Sequence, residues 1–256
     1  MSDTGRMRIG AQLYTVRESC ATLEGFAETL KRVADIGYTT VQVSGTCPYP
    51  AVWLKEQLRQ NGLHCALTHI APGRLTKETE EVVKEHEIFG CEYVGLGYHP
   101  FREEKYEEGY DYFIETYLPV AKRLKALGKY MMHHNHDQEF QYRNGRVILE
   151  NLQEAFPPDC LGFTLDTFWV QAGGGDPAGW IERLKDRVPC IHLKDYAYGR
   201  KMAVIGEGNL DFERILKKAE EAHVRYLLVE QDDCNGEDPF ACLRRSYQNL
   251  RAMGLE

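Results

Sequence analysis

The chain has 256 residues, of which 43% are hydrophobic and 27% charged, and its formal net charge is −8. That length supports a sizeable buried core, while the acidic balance argues against a nucleic-acid partner, since phosphate binding calls for a basic surface. No apolar stretch approaches the roughly 20 residues of a membrane span, and the N-terminus carries no signal-peptide pattern, so a cytoplasmic location is expected. The eight cysteines form no CxxC pair, and Cys65 and Cys190 sit inside apolar runs where a thiol packs as a small hydrophobe. A reduced thiol set is expected rather than a disulfide framework.

Taken in order, residues 8–14 read as a first strand, and a helical pattern from 22 to 36 stops at Gly37, a C-cap signal. A strand over 38–43 leads through Cys47-Pro48-Tyr49-Pro50 to a helix over 51–60, ended by Asn61-Gly62. The alternation then repeats. A strand over 64–69 precedes a helix over 77–89, and a strand over 93–97 precedes a helix over 110–127, with Gly90 and Gly128 as the stops. A short apolar run enters Met131-Met132-His133-His134-Asn135-His136-Asp137-Gln138-Glu139-Phe140, followed by a helix around 147–155. Strands over 161–165, 190–194 and 226–230 pair with helices over 178–184, 212–222 and 239–253. Gly173-Gly174-Gly175 lacks the spacing of a dinucleotide fingerprint and reads as a loop, and Gly206-Glu207-Gly208 reads as a turn.

Eight β-then-α units without a low-complexity linker predict an α/β fold, a single closed (β/α)8 TIM barrel occupying residues 1–256. In such a barrel the site lies where the strands end. Four successive strand ends are rich in lone pairs: His134-Asn135-His136, then Asp166, then His192 with Lys194, then Glu230-Gln231-Asp232. Mixed carboxylate and imidazole suits one divalent metal ion of the Mn, Mg, Co or Zn kind. Such an ion can polarise the carbonyl and neighbouring hydroxyl of a sugar, which makes the proton between them removable by a carboxylate or imidazole. Lys194 shares a strand face with His192 and can bind substrate oxygen. Trp169 can stack on a sugar face, and His69, His99, Gln12, Tyr14 and Gln42 are further rim residues. His64, His86 and His223 fall at a strand start or on helices and are not site candidates.

These residues carry a resemblance over nearly the whole chain. Gly10-Ala11-Gln12-Leu13-Tyr14-Thr15-Val16-Arg17, His134 to Phe140, Leu165-Asp166-Thr167, His192-Leu193-Lys194-Asp195, Gly206-Glu207-Gly208 and Val229-Glu230 resemble the sugar phosphate isomerase/epimerase group of the xylose-isomerase-like barrels. The resemblance implies metal ligands at Asp166, His192 and Glu230. A fourth comes from strand five, where the epimerases carry a glutamate and this chain has His134, with Glu139 five residues on. Either completes the shell. Because the chain departs there from the two-glutamate pattern of the epimerases, proton transfer is expected from Glu230 and from His134 or His136, with Lys194, Trp169, His69, Asn135 and Gln12 binding a sugar, keto-sugar or cyclitol. An inosose-type dehydratase is the runner-up, and a non-catalytic sugar-binding barrel the alternative outside enzymes. Asp166-Thr167-Phe168-Trp169 lacks the histidine of the Asp-x-x-His pattern shared with apurinic endonucleases, which argues further against DNA. The exposed helices of such barrels also offer a surface for a homo-oligomer.

Overall fold

The computed structural model describes residues 6–97, 106–143 and 145–255, with side chains of the helix beginning at 106 described from residue 111. His99, expected at the rim, lies outside the described residues. Eight strands form the barrel wall: β1 (Arg8–Gln12), β2 (Thr40–Val43), β3 (His64–His69), β4 (Tyr93–Leu96), β5 (Tyr130–His134), β6 (Leu161–Asp166), β7 (Cys190–Leu193) and β8 (Tyr226–Val229). They close in the order β1-β8-β7-β6-β5-β4-β3-β2, every neighbouring pair parallel. This agrees with the alternation of the sequence and confirms the (β/α)8 barrel.

The helices show how composition drives the closure. Leu23–Ile36 begins where the Thr22 side chain accepts the Gly25 amide and ends at Gly37. Its buried face is Phe26, Leu30, Val33 and Ile36, a helical spacing that lays one apolar stripe on the sheet. Each fully buried side chain of this kind contributes about 1.5–3 kcal/mol, and Leu30→Ala would cost about 2–5 kcal/mol. No helix among the described residues is long and apolar enough to cross a membrane.

Four local features differ from the sequence reading. β1 stops at Gln12, because the Gln12 side chain accepts the Tyr14 amide and starts a 3-10 turn over Leu13–Cys20. The helix expected over 77–89 is two helices, Pro72–Lys77 and Thr79–Phe89, since Pro72 is an earlier start. A short helix, Thr167–Ala172, follows β6 directly because Asp166 caps it. Two small hairpins, Tyr142–Arg143 with Arg146–Val147 and Asp195–Ala197 with Lys201–Ala203, decorate the loops after β5 and β7.

Strand alternation divides the barrel interior into layers. Ala66, Leu67, Tyr93, Met132, Cys190, Tyr226 and Leu228 form an apolar plug, with Tyr130 packed against it. Two residues further along the same strands come His134 above Met132, His192 above Cys190 and Glu230 above Leu228. The plug closes the barrel below and leaves its polar layer to face the strand ends.

Candidate active site

The register places the polar layer at one level. His134 pairs with Thr164, Asp166 with His192, and Gln12 with Gln42. The Glu230 amide still bonds to Leu193 O at 3.1 Å, which extends β8 by one residue to the rim. Lys194 is held by Thr167, whose hydroxyl donates to Lys194 O at 2.7 Å and accepts the Lys194 amide at 3.0 Å. Strand ends alone thus bring together residues as distant in sequence as Gln42 and His192, 150 positions apart.

At the centre, His134, Asp166 and His192 offer ligand atoms that all lie within 4.8 Å of one another. Glu230 adjoins them, its Oε2 being 2.9 Å from His192 Nδ1. Lys194 Nζ lies 3.1 Å from Asp166 Oδ2, 3.0 Å from Glu230 Oε2 and 3.0 Å from Asp232 Oδ2. Despite these approaches, Asp166 Oδ2, His192 Nδ1, Glu230 Oε2 and His134 Nδ1 are buried and make no well-directed hydrogen bond. Buried polar atoms are nearly always satisfied. Two carboxylate oxygens and two imidazole nitrogens left so on adjacent strands fit the donor set of a divalent ion.

The surrounding contacts orient this set. Asp166 Oδ1 accepts the Trp169 amide at 3.1 Å, and the Asp166 amide donates to Asn135 Oδ1 at 2.9 Å, leaving Oδ2 toward the centre. His192 Nε2 is 2.6 Å from Gln42 Oε1, so its other nitrogen faces Asp166 and Glu230. Gln42 Nε2 reaches His69 Nε2 at 2.8 Å, and His69 Nδ1 reaches Ser44 Oγ at 3.0 Å. The ring of His69 fits because β4 is followed by Gly97, where a Cβ would come within 2.9 Å of His69 Nδ1.

Electrostatics separate the groups. Burial and the neighbouring His192 hold His69 down at about 3 and His134 well below the ordinary histidine range, so both rings are neutral. Burial also opposes charge on His192 and Lys194, but the carboxylates Glu230 and Asp166 outweigh it and raise both. Burial would raise Glu230, yet Lys194 and His192 hold it well below the usual carboxylate range. Asp232 is pushed up to about 6 by burial and by Glu230, against the pull of Lys194.

Above the cluster opens a pocket of about 350 Å³, lined among others by Tyr14, Ser44, His69, His134, His136, Trp169, Lys194, Glu230 and Asp232. That volume is in the range of small-molecule sites. The rings of His134, His136 and Trp169 follow one another at 4.6 and 5.3 Å between centroids. Of the sequence candidates, His69, His134, His136, Trp169, Lys194 and Glu230 line this pocket, and Asp166 and His192 form its buried floor. Asn135 and Gln12 are buried and hold backbone amides rather than line the wall. Glu139 lies outside the donor cluster, its Oε2 accepting the His136 amide at 2.8 Å and its Oε1 facing His133 Nε2 at 3.6 Å. His133 itself belongs to the outward face of β5, against Phe113 and Phe163. Ser44 was missed as a site residue, and Asp232, named in the eighth strand end, was given no role there, although each lies two positions beyond a rim residue on the same strand face.

Asp195 does not join the site. Its carboxylate accepts the amides of Tyr196, Gly206, Gly208 and Leu210 at 2.8–3.2 Å, which folds the 196–210 loop around it. A Cβ at Gly208 would lie 2.4 Å from Asp195 Oδ1, so the glycine permits the close approach.

Known proteins agree with this architecture. An inosose dehydratase from Geobacillus kaustophilus is 22% identical over 214 residues, covering 72% of this chain and 66% of that protein. A sugar phosphate isomerase/epimerase from Parabacteroides distasonis superposes with a TM-score of 0.81 at 22% identity, over 98% of each chain. An L-ribulose 3-epimerase gives a TM-score of 0.74 at 16% identity, over 97% of this chain and 94% of its own. Identities this low show a shared fold. The sequence profile of the xylose isomerase-like TIM barrel matches residues 30–250, most of the chain. With the eight-stranded barrel and the polar strand ends now described, the chain belongs to the xylose isomerase-like TIM barrel family.

Proposed function

We propose that this barrel is a divalent-metal-dependent isomerase or epimerase acting on a sugar, keto-sugar or cyclitol by proton transfer next to a carbonyl. The observation that carries the reading is the set of four buried oxygen and nitrogen atoms without a well-directed hydrogen bond, beneath a pocket that also presents an ammonium and an imidazole. Asp166 Oδ2, His192 Nδ1, Glu230 Oε2 and His134 would hold the ion, with His134 in the strand-five place because Glu139 is committed to the His136 amide. A bound ion would polarise a substrate carbonyl and its neighbouring hydroxyl and stabilise the negative charge that develops when the adjacent carbon loses its proton.

The chain's own groups supply the rest. His136 lines the pocket beside His134 and is the imidazole that moves a proton. Glu230 works from β8, separated from β5 by two intervening strands, so the two groups approach a bound sugar from different directions. Its three carboxylate contacts keep Lys194 protonated, and Nζ would turn a hydrogen to substrate oxygen when an ion takes up Asp166 Oδ2 and Glu230 Oε2. Trp169 offers an apolar face to the sugar ring. The second reading is dehydration of an inosose-like keto-polyol, favoured by the dehydratase relative. There the same proton loss is followed by departure of a hydroxyl, protonated as it leaves.

Incubating the protein with Mn²⁺ and a panel of ketoses and inososes in D2O tests both readings by NMR. Deuterium entering the carbon beside the carbonyl, abolished by EDTA, is the expected result, and water loss in the same samples distinguishes the dehydratase. Sugar binding with neither metal uptake nor exchange would overturn the enzyme reading in favour of a non-catalytic barrel.

A further inference from the structure

We propose that Gln42 is a positioning residue that fixes the ring orientation and proton placement of His192, with Ser44 and His69 setting the direction of its amide. The consequence for metal affinity rests on the metal reading above. A neutral imidazole has one N–H donor and one lone pair, and an amide has one donor end and one acceptor end. A chain built from them therefore has a direction. Gln42 Oε1 lies 2.6 Å from His192 Nε2, so Nε2 carries a hydrogen, and when the ring is neutral, as metal ligation requires, the Nδ1 lone pair faces Asp166 and Glu230. Gln42 Nε2 donates to His69 Nε2 at 2.8 Å, so the His69 hydrogen sits on Nδ1 and is donated to Ser44 Oγ at 3.0 Å.

Turning the amide over reverses every link. His192 Nε2 would then accept, its hydrogen would move to Nδ1, and the lone pair needed by a cation would be covered. Gln42 and His192 are fully buried and Ser44 nearly so, which leaves little water to satisfy the alternative. Nothing in the chemistry of the four ligands requires this arm: it comes from β2 and the end of β3, on the opposite side of His192 from the carboxylates. Outer partners of this kind typically change metal affinity 10–100-fold when removed.

Selective ¹⁵N-histidine labelling, combined with calorimetric Mn²⁺ titration, tests the proposal on the full chain. In the wild type the His192 Nε2–H and His69 Nδ1–H protons should appear downfield and exchange slowly with water. Gln42→Leu should lose the His192 signal and bind Mn²⁺ about 10–100-fold more weakly. Gln42→Glu keeps an acceptor for His192 but has no donor for His69. It should retain the His192 signal, move the His69 hydrogen from Nδ1 to Nε2, and bind Mn²⁺ more tightly than Gln42→Leu. An unchanged His192 signal in Gln42→Leu, or no His69 shift in Gln42→Glu, overturns the inference, as does equal Mn²⁺ affinity in wild type and Gln42→Leu. A wild type that takes up no metal sinks the proposed function instead, and the proton signals still decide the role of Gln42.

Discussion

Replacing Lys194 with methionine keeps the length of the side chain and removes an ammonium that contacts one oxygen each of Asp166, Glu230 and Asp232 at 3.0–3.1 Å. With the imidazoles neutral, as metal ligation requires, three carboxylates and one ammonium leave a formal charge of −2, which a divalent ion balances. Without the ammonium the carboxylates repel one another in a buried site. Breaking a buried ion network by removing one partner costs about 3–5 kcal/mol, and at roughly 2–4 °C per kcal/mol for a chain of this size the metal-free variant should melt about 10 °C lower. The metal should respond in the opposite sense, because Lys194 no longer shares Asp166 Oδ2 and Glu230 Oε2 with it. Unit charges about 4 Å apart at an effective dielectric of about 20 interact by about 4 kcal/mol. A third of that is about 1.4 kcal/mol, a tenfold gain in Mn²⁺ affinity. The assay is thermal unfolding with and without saturating Mn²⁺, alongside calorimetric titration. The metal-induced rise in Tm should exceed that of the wild type by about 3–5 °C, while turnover falls about 100-fold or more for want of the oxygen-binding group. A metal-induced rise equal to or smaller than that of the wild type would refute the reasoning.

His86 is buried with Thr68 Oγ1 on Nε2 at 2.7 Å and Val82 O on Nδ1 at 2.6 Å, and burial lowers its pKa to about 4. Its folded value lies below its unfolded one, so its contribution is present above pH 6.5 and is lost as the pH falls toward 4. Urea unfolding should show the wild type losing about 3 kcal/mol more than His86→Gln between pH 7 and pH 4; parallel losses would remove His86 from the account. Asp195→Ala strands four backbone amides and should cost about 3 kcal/mol or more, with limited proteolysis appearing within 196–210. Gly208→Ala, by the clash with Asp195 Oδ1, should produce the same cleavage pattern. Trp169→Ala should raise KM about tenfold, the loss of about 1.4 kcal/mol of ring contact, with kcat within a few-fold; an unchanged KM would place the sugar elsewhere in the pocket.

The order of strands and helices was legible because it is written in local signals. Apolar runs of strand length, helical spacing such as Phe26-Leu30-Val33, and glycines at 37, 90 and 128 each act over a few residues. Starts set by side-chain-to-backbone bonds were harder to read. Asp166 looks like a rim acid in the sequence, and it is also the cap that begins Thr167–Ala172 at once. Gln12 similarly turns the chain by accepting the Tyr14 amide.

For the site, period-two alternation on a barrel strand is enough to put Asp166, His192, Lys194 and Glu230 on one inward face. The same rule separates His133 from His134, but the sequence shows three clustered histidines without showing which face is the interior. Only the packing of His133 against Phe113 and Phe163 settles that. Glu139 is the sharper case. Its nearness in sequence made it a candidate ligand, yet its carboxylate turns back to the His136 amide. The chain by itself determined the barrel and the residue types at its strand ends, because both follow from short-range periodicity. Closure of the barrel decided the Ser44–His69–Gln42–His192 chain and the three-carboxylate grip on Lys194, because hydrogen bonds and Coulomb interactions depend on distances between strands that are remote in sequence.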